Sequence, residues 1–182
     1  MGSGAGQYDS FLGVQGIDAV LDAVRACRES LWSARATSYR GDASTPQMAV
    51  IIQRHVDADV SGVMFTALDG PTLIESSWGL GPTVVEGRVT PDRYEVAGTV
   101  TRTIADKPTA LYRAGAHLET RAVPEAQRRT PTLTDTTAIH LATLGRRATA
   151  VFGSPQDIEW SIAGDTIWLL QSRPITAEPP KP

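Results

Sequence analysis

Hydrophobic residues recur at two different spacings along this chain. Over residues 17–39 they return every three or four positions with charged residues between them, which predicts a long amphipathic helix. A second stretch of helical spacing covers residues 135–151, where Thr134 or Asp135 can cap the start and Gly153 can end the helix. The pattern therefore predicts two main helices, one near each end of the chain.

Between the two helices the spacing changes to short apolar runs and alternation, which is typical of strands. Turn signals such as Asp69-Gly70-Pro71 separate these runs. The predicted strands cover residues 48–56, 62–66, 72–78, 83–89 and 93–104. Residues 106–132 are polar and weakly patterned, so we expect a long and partly irregular connection there.

A β-hairpin is predicted at the end of the chain. If its loop is the three residues 164–166, Glu159 lies opposite Gln171 and Asp157 lies opposite Arg173. The other face is then almost wholly apolar, with Ile158, Trp160, Ile162, Trp168, Leu170 and Ser172. A two-residue loop would place Glu159 opposite Leu170 and mix the two faces, so the pattern favours the loop of odd length.

These elements describe an α+β domain with a mostly antiparallel sheet, two main helices and a C-terminal β-hairpin. The 182 residues are 41% hydrophobic and 20% charged, which is typical of a globular chain. The net charge of −3 gives no basic field to attract nucleic acid or an anionic membrane, and no apolar run approaches a membrane span. The single cysteine, Cys27, excludes an intrachain disulfide and fits a cytoplasmic location.

Glu159, Gln171 and Arg173 are the residues best suited to chemistry. Mg²⁺ prefers oxygen ligands, so a carboxylate and an amide oxygen can hold it beside a phosphate, while the planar guanidinium suits phosphate oxygens. The spacing alone also fits a solvated polar face with a cross-strand ion pair between Asp157 and Arg173. Both interpretations stay open on the pattern of residues.

Short motifs along nearly the whole chain resemble the ATP-binding domain of the phosphoenolpyruvate synthase, pyruvate phosphate dikinase and rifampin phosphotransferase family. Near the C-terminus the similar segments are Gln-Asp-Ile-Glu-Trp at 156–160 and Leu-Gln-Ser-Arg-Pro-Ile-Thr at 170–176. Others, in chain order, are 3–12, 30–40, 50–56, 61–66, 78–81, 84–87 and 91–94. Many motifs in the same order are a far more specific signal than any one of them.

The resemblance implies roles for named residues. Glu159 and Gln171 match the family's Mg²⁺-binding pair, and Arg173 matches the arginine that binds the transferring phosphates. The residues that match the strand and hinge holding adenine are Gln53, Arg54, His55 and Val56. The residues that match the glycine-containing loop over the phosphates are Gly6, Gln7 and Ser10. The implied ligands are ATP and Mg²⁺.

The resemblance also implies an ATP-grasp fold, with residues 1–176 forming the larger lobe without its N-terminal partner and 177–182 forming a tail. The implied function is the ATP-binding portion of a phosphotransferase that cleaves ATP to AMP and passes phosphate through a histidine. A separate lobe and a phosphohistidine domain are then expected partners, and the isolated chain is expected to be inactive. The alternative is a truncated, non-catalytic relative that binds nucleotide or self-associates, which Pro82 favours because the family usually has glutamate there.

Overall fold

The computed structural model describes residues 8–40 and 47–175. Gly6 and Gln7, two of the residues assigned to the phosphate loop, lie outside this described part. The chain divides into two compact units. The first comprises Met1–His55 with Arg113–Leu118, and the second comprises Val56–Tyr112 with Glu119–Pro182.

In the first unit the predicted helix over 17–39 is interrupted. Helix α1 covers Ile17–Glu29, a single 3₁₀ turn covers Ser30–Trp32, and α2 covers Ala34–Arg40. The interruption lies at Ser33, whose backbone is extended (φ −62°, ψ 152°) and whose hydroxyl accepts a hydrogen bond from the Ala36 N–H at 3.2 Å. Ser33 therefore caps α2 instead of continuing the first helix.

The strand predicted over 48–56 is wrong, because residues 47–58 form neither helix nor strand. The side chains of Ile51 and Ile52 are 84% and 70% exposed. An apolar run becomes a strand only where a neighbouring strand takes up its backbone hydrogen bonds, and the pattern of residues alone does not supply that neighbour.

Within residues 47–175, the structure describes eight strands and three further helices after α2. The strands are β1 (Val60–Phe65), β2 (Thr72–Trp78), β3 (Asp92–Ala97), β4 (Thr99–Thr103), β5 (Thr109–Ala114), β6 (His117–Ala122), β7 (Gln156–Ala163) and β8 (Thr166–Pro174). The helices are α3 (Pro82–Val85), α4 (Glu125–Arg128) and α5 (Asp135–Phe152). The predicted α+β class with a mostly antiparallel sheet is confirmed.

The second unit is organised around one six-stranded sheet in the order β4-β3-β2-β1-β7-β8. Every neighbouring pair in it is antiparallel. Strands β5 and β6 form a separate two-stranded sheet within the segment predicted to be irregular. Because β7 pairs with β1, the C-terminal hairpin extends the sheet on the β1 side, and β8 forms one edge of the sheet.

Two predicted strands take other forms. Residues 83–89 contain the end of α3 followed by a turn, because Pro82 occupies the first helical position and Gly87 adopts a positive φ of 65°. Residues 93–104 form parts of two strands, since the chain reverses at Gly98, where φ is 83°. Glycine adopts this backbone region freely and most other residues do not.

Helix α5 packs on one face of the six-stranded sheet and forms the core. Thr134 caps its first turn by accepting a hydrogen bond from the Thr137 N–H at 3.1 Å, and Gly153 ends it with a φ of 70°. Leu141 of the helix and Tyr94, Ile158 and Trp160 of the sheet are fully buried in this core. Full burial of a large apolar side chain stabilises a fold by about 1.5–3 kcal/mol, so this one layer provides much of the unit's stability.

A buried ion pair connects the sheet to the segment that follows β4. The Lys107 Nζ donates to Asp92 Oδ1 at 2.5 Å, and neither side chain is exposed to solvent. Asp92 also accepts hydrogen bonds from the backbone N–H groups of Ala105 and Thr132. Because both charges are satisfied inside the protein, Lys107 has a structural role, and removing one partner would leave a buried charge unpaired.

Within the described residues, no helix is long and apolar enough to cross a membrane.

Candidate functional site

The polar face of the sheet lies opposite α5. Ile158 and Trp160 point into the core, so the residues that alternate with them along β7, Asp157 and Glu159, lie on the other face. On β1, Val63 pairs with Glu159 on one side and Glu75 on the other. The two carboxylates therefore lie in one row across the sheet, with an apolar residue between them.

The closing hairpin has the predicted pairs Glu159–Gln171 and Asp157–Arg173, but its loop and the pairing next to the loop differ from the prediction. Ala163 pairs with Thr166, so the loop has two residues, and the prediction of a three-residue loop is wrong. A β-bulge then shifts the register: Trp160 pairs with Leu169, whereas Glu159 pairs with Gln171. Leu170 is the extra residue of the bulge. The bulge restores the predicted pairing of Glu159 with Gln171 that a regular ladder after a two-residue loop would have lost.

The bulge also changes which side chains share a face. Trp168 pairs with Ser161, which alternates with the core residues of β7, so Trp168 lies on the polar face. The prediction that Trp168 belongs to the apolar face is therefore wrong. The pattern of residues indicates a strand here but contains no signal for the extra residue, because Trp168, Leu169 and Leu170 are all apolar.

Arg173 is held in place by the acid that faces it across the hairpin. Its Nε donates to Asp157 Oδ2 at 2.8 Å, and its Nη2 lies 2.7 Å from the same oxygen. Asp157 is 14% exposed while Arg173 is 37% exposed, so the arginine keeps contact with solvent. The predicted cross-strand ion pair is confirmed, and it restricts the guanidinium to a defined orientation.

Glu159 lies in surroundings that disfavour its charge. Burial raises the pKa of its carboxyl group, the nearby negative charge of Asp157 raises this pKa further, and the positive charge of Arg173 opposes both effects. Gln171, directly across the hairpin, is exposed. The structure thus brings together one carboxylate, one amide and one guanidinium, the three groups proposed from the sequence.

The other predicted site residues lie elsewhere in the fold. Ser10 is exposed in the first unit, in a segment before α1 whose Asp9 N–H donates to Ser30 Oγ at 3.1 Å. Gln53, Arg54 and His55 belong to the first unit and Val56 begins the second, all outside helices and strands.

Pro82 is accommodated by the fold without a lost hydrogen bond. It occupies the first position of α3, where a backbone N–H has no partner within the helix. Compared with the glutamate that the resemblance leads us to expect here, Pro82 lacks a carboxylate. Its missing backbone N–H costs the helix nothing.

Two polar residues with no role assigned from the sequence support the hairpin from the core side. Gln156 is 1% exposed, and its Oε1 accepts a hydrogen bond from the Ser172 hydroxyl at 2.9 Å. The available signal was that both occupy the otherwise mostly apolar face of their strands, where a polar side chain needs a partner.

Comparison with known proteins gives a consistent result. The family model described as "Pyruvate phosphate dikinase, AMP/ATP-binding domain" matches residues 2–182. A probable phosphoenolpyruvate synthase of Methanothermobacter thermautotrophicus is 44% identical over 94% of this chain and 27% of its own length. The prodigiosin synthesizing transferase PigC of Serratia marcescens is 42% identical over 96% of the chain and 21% of its length. A rifampicin phosphotransferase of Bacillus subtilis is 40% identical over 98% of this chain and 22% of its own length.

The chain thus spans roughly a fifth to a quarter of the length of these relatives.

Proposed function

Because the chain belongs to the pyruvate phosphate dikinase AMP/ATP-binding domain family, we propose that the polar face of its sheet binds the phosphate end of ATP. In this proposal Glu159 and Gln171 provide oxygen ligands for Mg²⁺, and Arg173 contacts the phosphates. The observation that carries the proposal is the cross-strand pairing of Glu159 with Gln171, beside an arginine that Asp157 holds in place.

The donor set fits this metal. One carboxylate and one amide oxygen are hard ligands, and magnesium commonly takes only one or two protein groups while keeping waters and substrate phosphates as its other ligands. Gln171 is exposed and Glu159 is half-buried, so both can be reached from solvent. When bound, Mg²⁺ neutralises phosphate charge and orients the phosphates for transfer.

The arginine and its partner acid have separate tasks. Arg173 presents a planar set of donors to the phosphate oxygens, and Asp157 fixes the direction in which these donors point. A group held in its bound orientation loses less conformational entropy on binding than a mobile one. Glu159 must be ionised to act as a ligand, although burial raises the pKa of its carboxyl group. A bound cation would favour the ionised form and offset this effect.

The remaining contacts to ATP are assigned to the other predicted residues. The segment with Gln53, Arg54, His55 and Val56 would hold adenine, largely through backbone groups. The loop with Gly6, Gln7 and Ser10 would lie over the phosphates, where glycine allows backbone N–H groups to approach an anion. These assignments rest on the matching motifs in the sequence.

The complete reaction requires parts beyond the matched domain. We propose an ATP-grasp domain in which a further lobe closes the nucleotide site and a phosphohistidine domain carries phosphate to an acceptor, while ATP is cleaved to AMP. The support is that the chain covers only 21–27% of relatives named as phosphoenolpyruvate synthases and transferases. A cytoplasmic location is part of this proposal, and the single cysteine is compatible with it.

A second candidate is a non-catalytic relative that serves as a nucleotide-binding or interaction module. It is favoured by Pro82, which lies at the start of α3 where the sequence resemblance leads us to expect a glutamate. Under this candidate the chain binds Mg-ATP weakly or not at all.

Calorimetric titration with Mg-ATP separates the two candidates. We expect the original chain to bind and the Glu159→Ala/Arg173→Ala variant to show no measurable binding, since charge neutralisation at the phosphates is lost. Arg102→Ala is the matched control, because Arg102 forms an ion pair of similar length with Asp135, at 2.8 Å, but is assigned no role in the site. Absence of binding by the original chain would reject the first candidate for this chain.

A further inference from the structure

We propose that Gln156 and Ser172 are positioning residues for the phosphate- and metal-binding hairpin. The hydrogen bond between their side chains, on the core face of the sheet, would fix Gln171 and Arg173 on the opposite face. The inference rests on the function proposed above, because it concerns the geometry of that same site.

The orientation of the Gln156 amide is determined by its partners. Its Nε2 donates to the Ser154 carbonyl oxygen at 2.9 Å and lies 3.1 Å from the Ser154 hydroxyl. These contacts occupy the amide nitrogen and direct Oε1 towards β8, where the Ser172 hydroxyl donates to it at 2.9 Å. Because the amide is almost fully buried, its oxygen would lose a partner that water does not readily replace if Ser172 moved.

Gln156 is itself fixed to the centre of the unit. Its backbone N–H donates to Thr66 Oγ1 at 2.7 Å, and the Thr66 N–H donates to the Gln156 carbonyl oxygen at 2.9 Å. The Thr66 hydroxyl also lies 2.6 Å from the hydroxyl of Thr149 in α5. The side chain that holds Ser172 is thus connected, through the residue that follows β1, to the helix that forms the core.

Strand β8 needs such a connection because it is the last strand of the described sheet. It pairs only with β7, and its register already shifts by one residue at Leu170. A further slip by one residue would turn Gln171 and Arg173 towards the core face. Ser172 lies between these two residues and points the other way, so a bond to its side chain resists the slip for both.

The test compares Ser172→Ala, which removes the hydroxyl, with Ser172→Thr, which keeps it. Ser76→Ala is the matched control, because Ser76 is a fully buried serine of the same sheet whose hydroxyl lies 2.6 Å from that of Thr132. The first measurement is solvent exchange of the Arg173 Nε–H, followed by NMR. It reports the orientation of the guanidinium without any nucleotide.

We expect Ser172→Ala to accelerate this exchange by about fivefold to tenfold, as loss of one hydrogen bond would, and Ser172→Thr and Ser76→Ala to change it by less than about twofold. The second measurement is the Kd for Mg-ATP, which should rise by a similar factor in Ser172→Ala alone.

Exchange that stays at the original rate in Ser172→Ala, or that rises equally in all three variants, would overturn the proposal. A threonine variant that behaves like the alanine variant would overturn it as well. If the original chain does not bind Mg-ATP, the proposed function fails, while the exchange rates still decide whether Ser172 positions Arg173.

Discussion

Glu159 is the residue at which the requirements of folding and of the proposed site conflict. Its carboxyl pKa is raised by burial and by Asp157, against the opposing effect of Arg173. A raised pKa means that the folded chain takes up this proton more readily than the unfolded chain. The resulting contribution to stability is complete below the unfolded pKa and is lost as pH rises through the folded pKa. At neutral pH the ionised side chain therefore costs stability.

Replacement of Glu159 by Gln should accordingly stabilise the chain at neutral pH while weakening the proposed site. We expect the Tm of Glu159→Gln to exceed that of the original chain by roughly 1–3 °C at pH 7, the response of a domain this size to less than about 1 kcal/mol. The difference should shrink as pH falls towards 4 and vanish below the unfolded pKa, where the carboxyl group is protonated in both states.

Thermal unfolding across this pH range, without divalent cation, measures the effect. Glu95→Gln is the control, since Glu95 is an exposed glutamate on the same face of the sheet. A Glu159→Gln variant that is less stable than the original at pH 7 would show that the carboxylate is favourable in the fold without a cation.

At the scale of single elements, the position of β1 between two neighbouring strands explains why its motif contains Gly62. Gly62 pairs with Ser76 on one side and with Trp160 on the other. A Cβ atom at this position would lie 1.9 Å from the backbone oxygen of Glu75, far inside van der Waals contact. The motif Ser61-Gly62-Val63, one of those that carried the resemblance, is thus required by the close approach of β2 to β1.

We expect Gly62→Ala to destabilise the second unit by about 3 kcal/mol or more, because two backbones must separate to admit the methyl group. Gly81→Ala is the matched control: its φ is −57°, and the nearest atom to an added Cβ is Ser61 Oγ at 3.8 Å. It should change stability by less than about 1 kcal/mol. Urea denaturation of both variants gives the comparison, and equal stabilities would refute the steric argument.

Elements with strong local signals were predictable from the sequence. Helix α5 was expected over 135–151 and covers Asp135–Phe152, because apolar spacing, a threonine cap and a terminal glycine all agree. Strand β2 covers the predicted residues 72–78. The pairs Glu159–Gln171 and Asp157–Arg173 were also predictable, because alternation places polar residues of both strands on one face, whereas the pairing next to the loop was not.

The elements that were not predictable depend on contacts between distant residues. The apolar run at 48–56 has the composition of a strand, but among the described residues it pairs with no other strand and its isoleucines are exposed. The bulge at Leu170 could not be predicted from the sequence, because Trp168, Leu169 and Leu170 are all apolar and any of them could face either side of the sheet. Gln156 and Ser172 become meaningful only when the fold brings them to 2.9 Å.

At the scale of the whole molecule, the second unit presents two sheet faces with different tasks. The face that packs on α5 supplies the apolar core, with Tyr94, Leu141 and Trp160 fully buried. The opposite face carries the side chains of Glu159 and Arg173. This division separates stability from the proposed chemistry, so residues of the polar face can be exchanged without opening the core.

The central claim is that Glu159 provides a metal-dependent contact to ATP. It is tested most directly by measuring ATP affinity with Mg²⁺ and with the metal removed by chelation, in the original chain, in Glu159→Gln and in the control Glu95→Gln. We predict that Mg²⁺ tightens binding by about tenfold or more in the original chain and in Glu95→Gln, and by less than about twofold in Glu159→Gln. Equal dependence on Mg²⁺ in all three proteins would contradict the account.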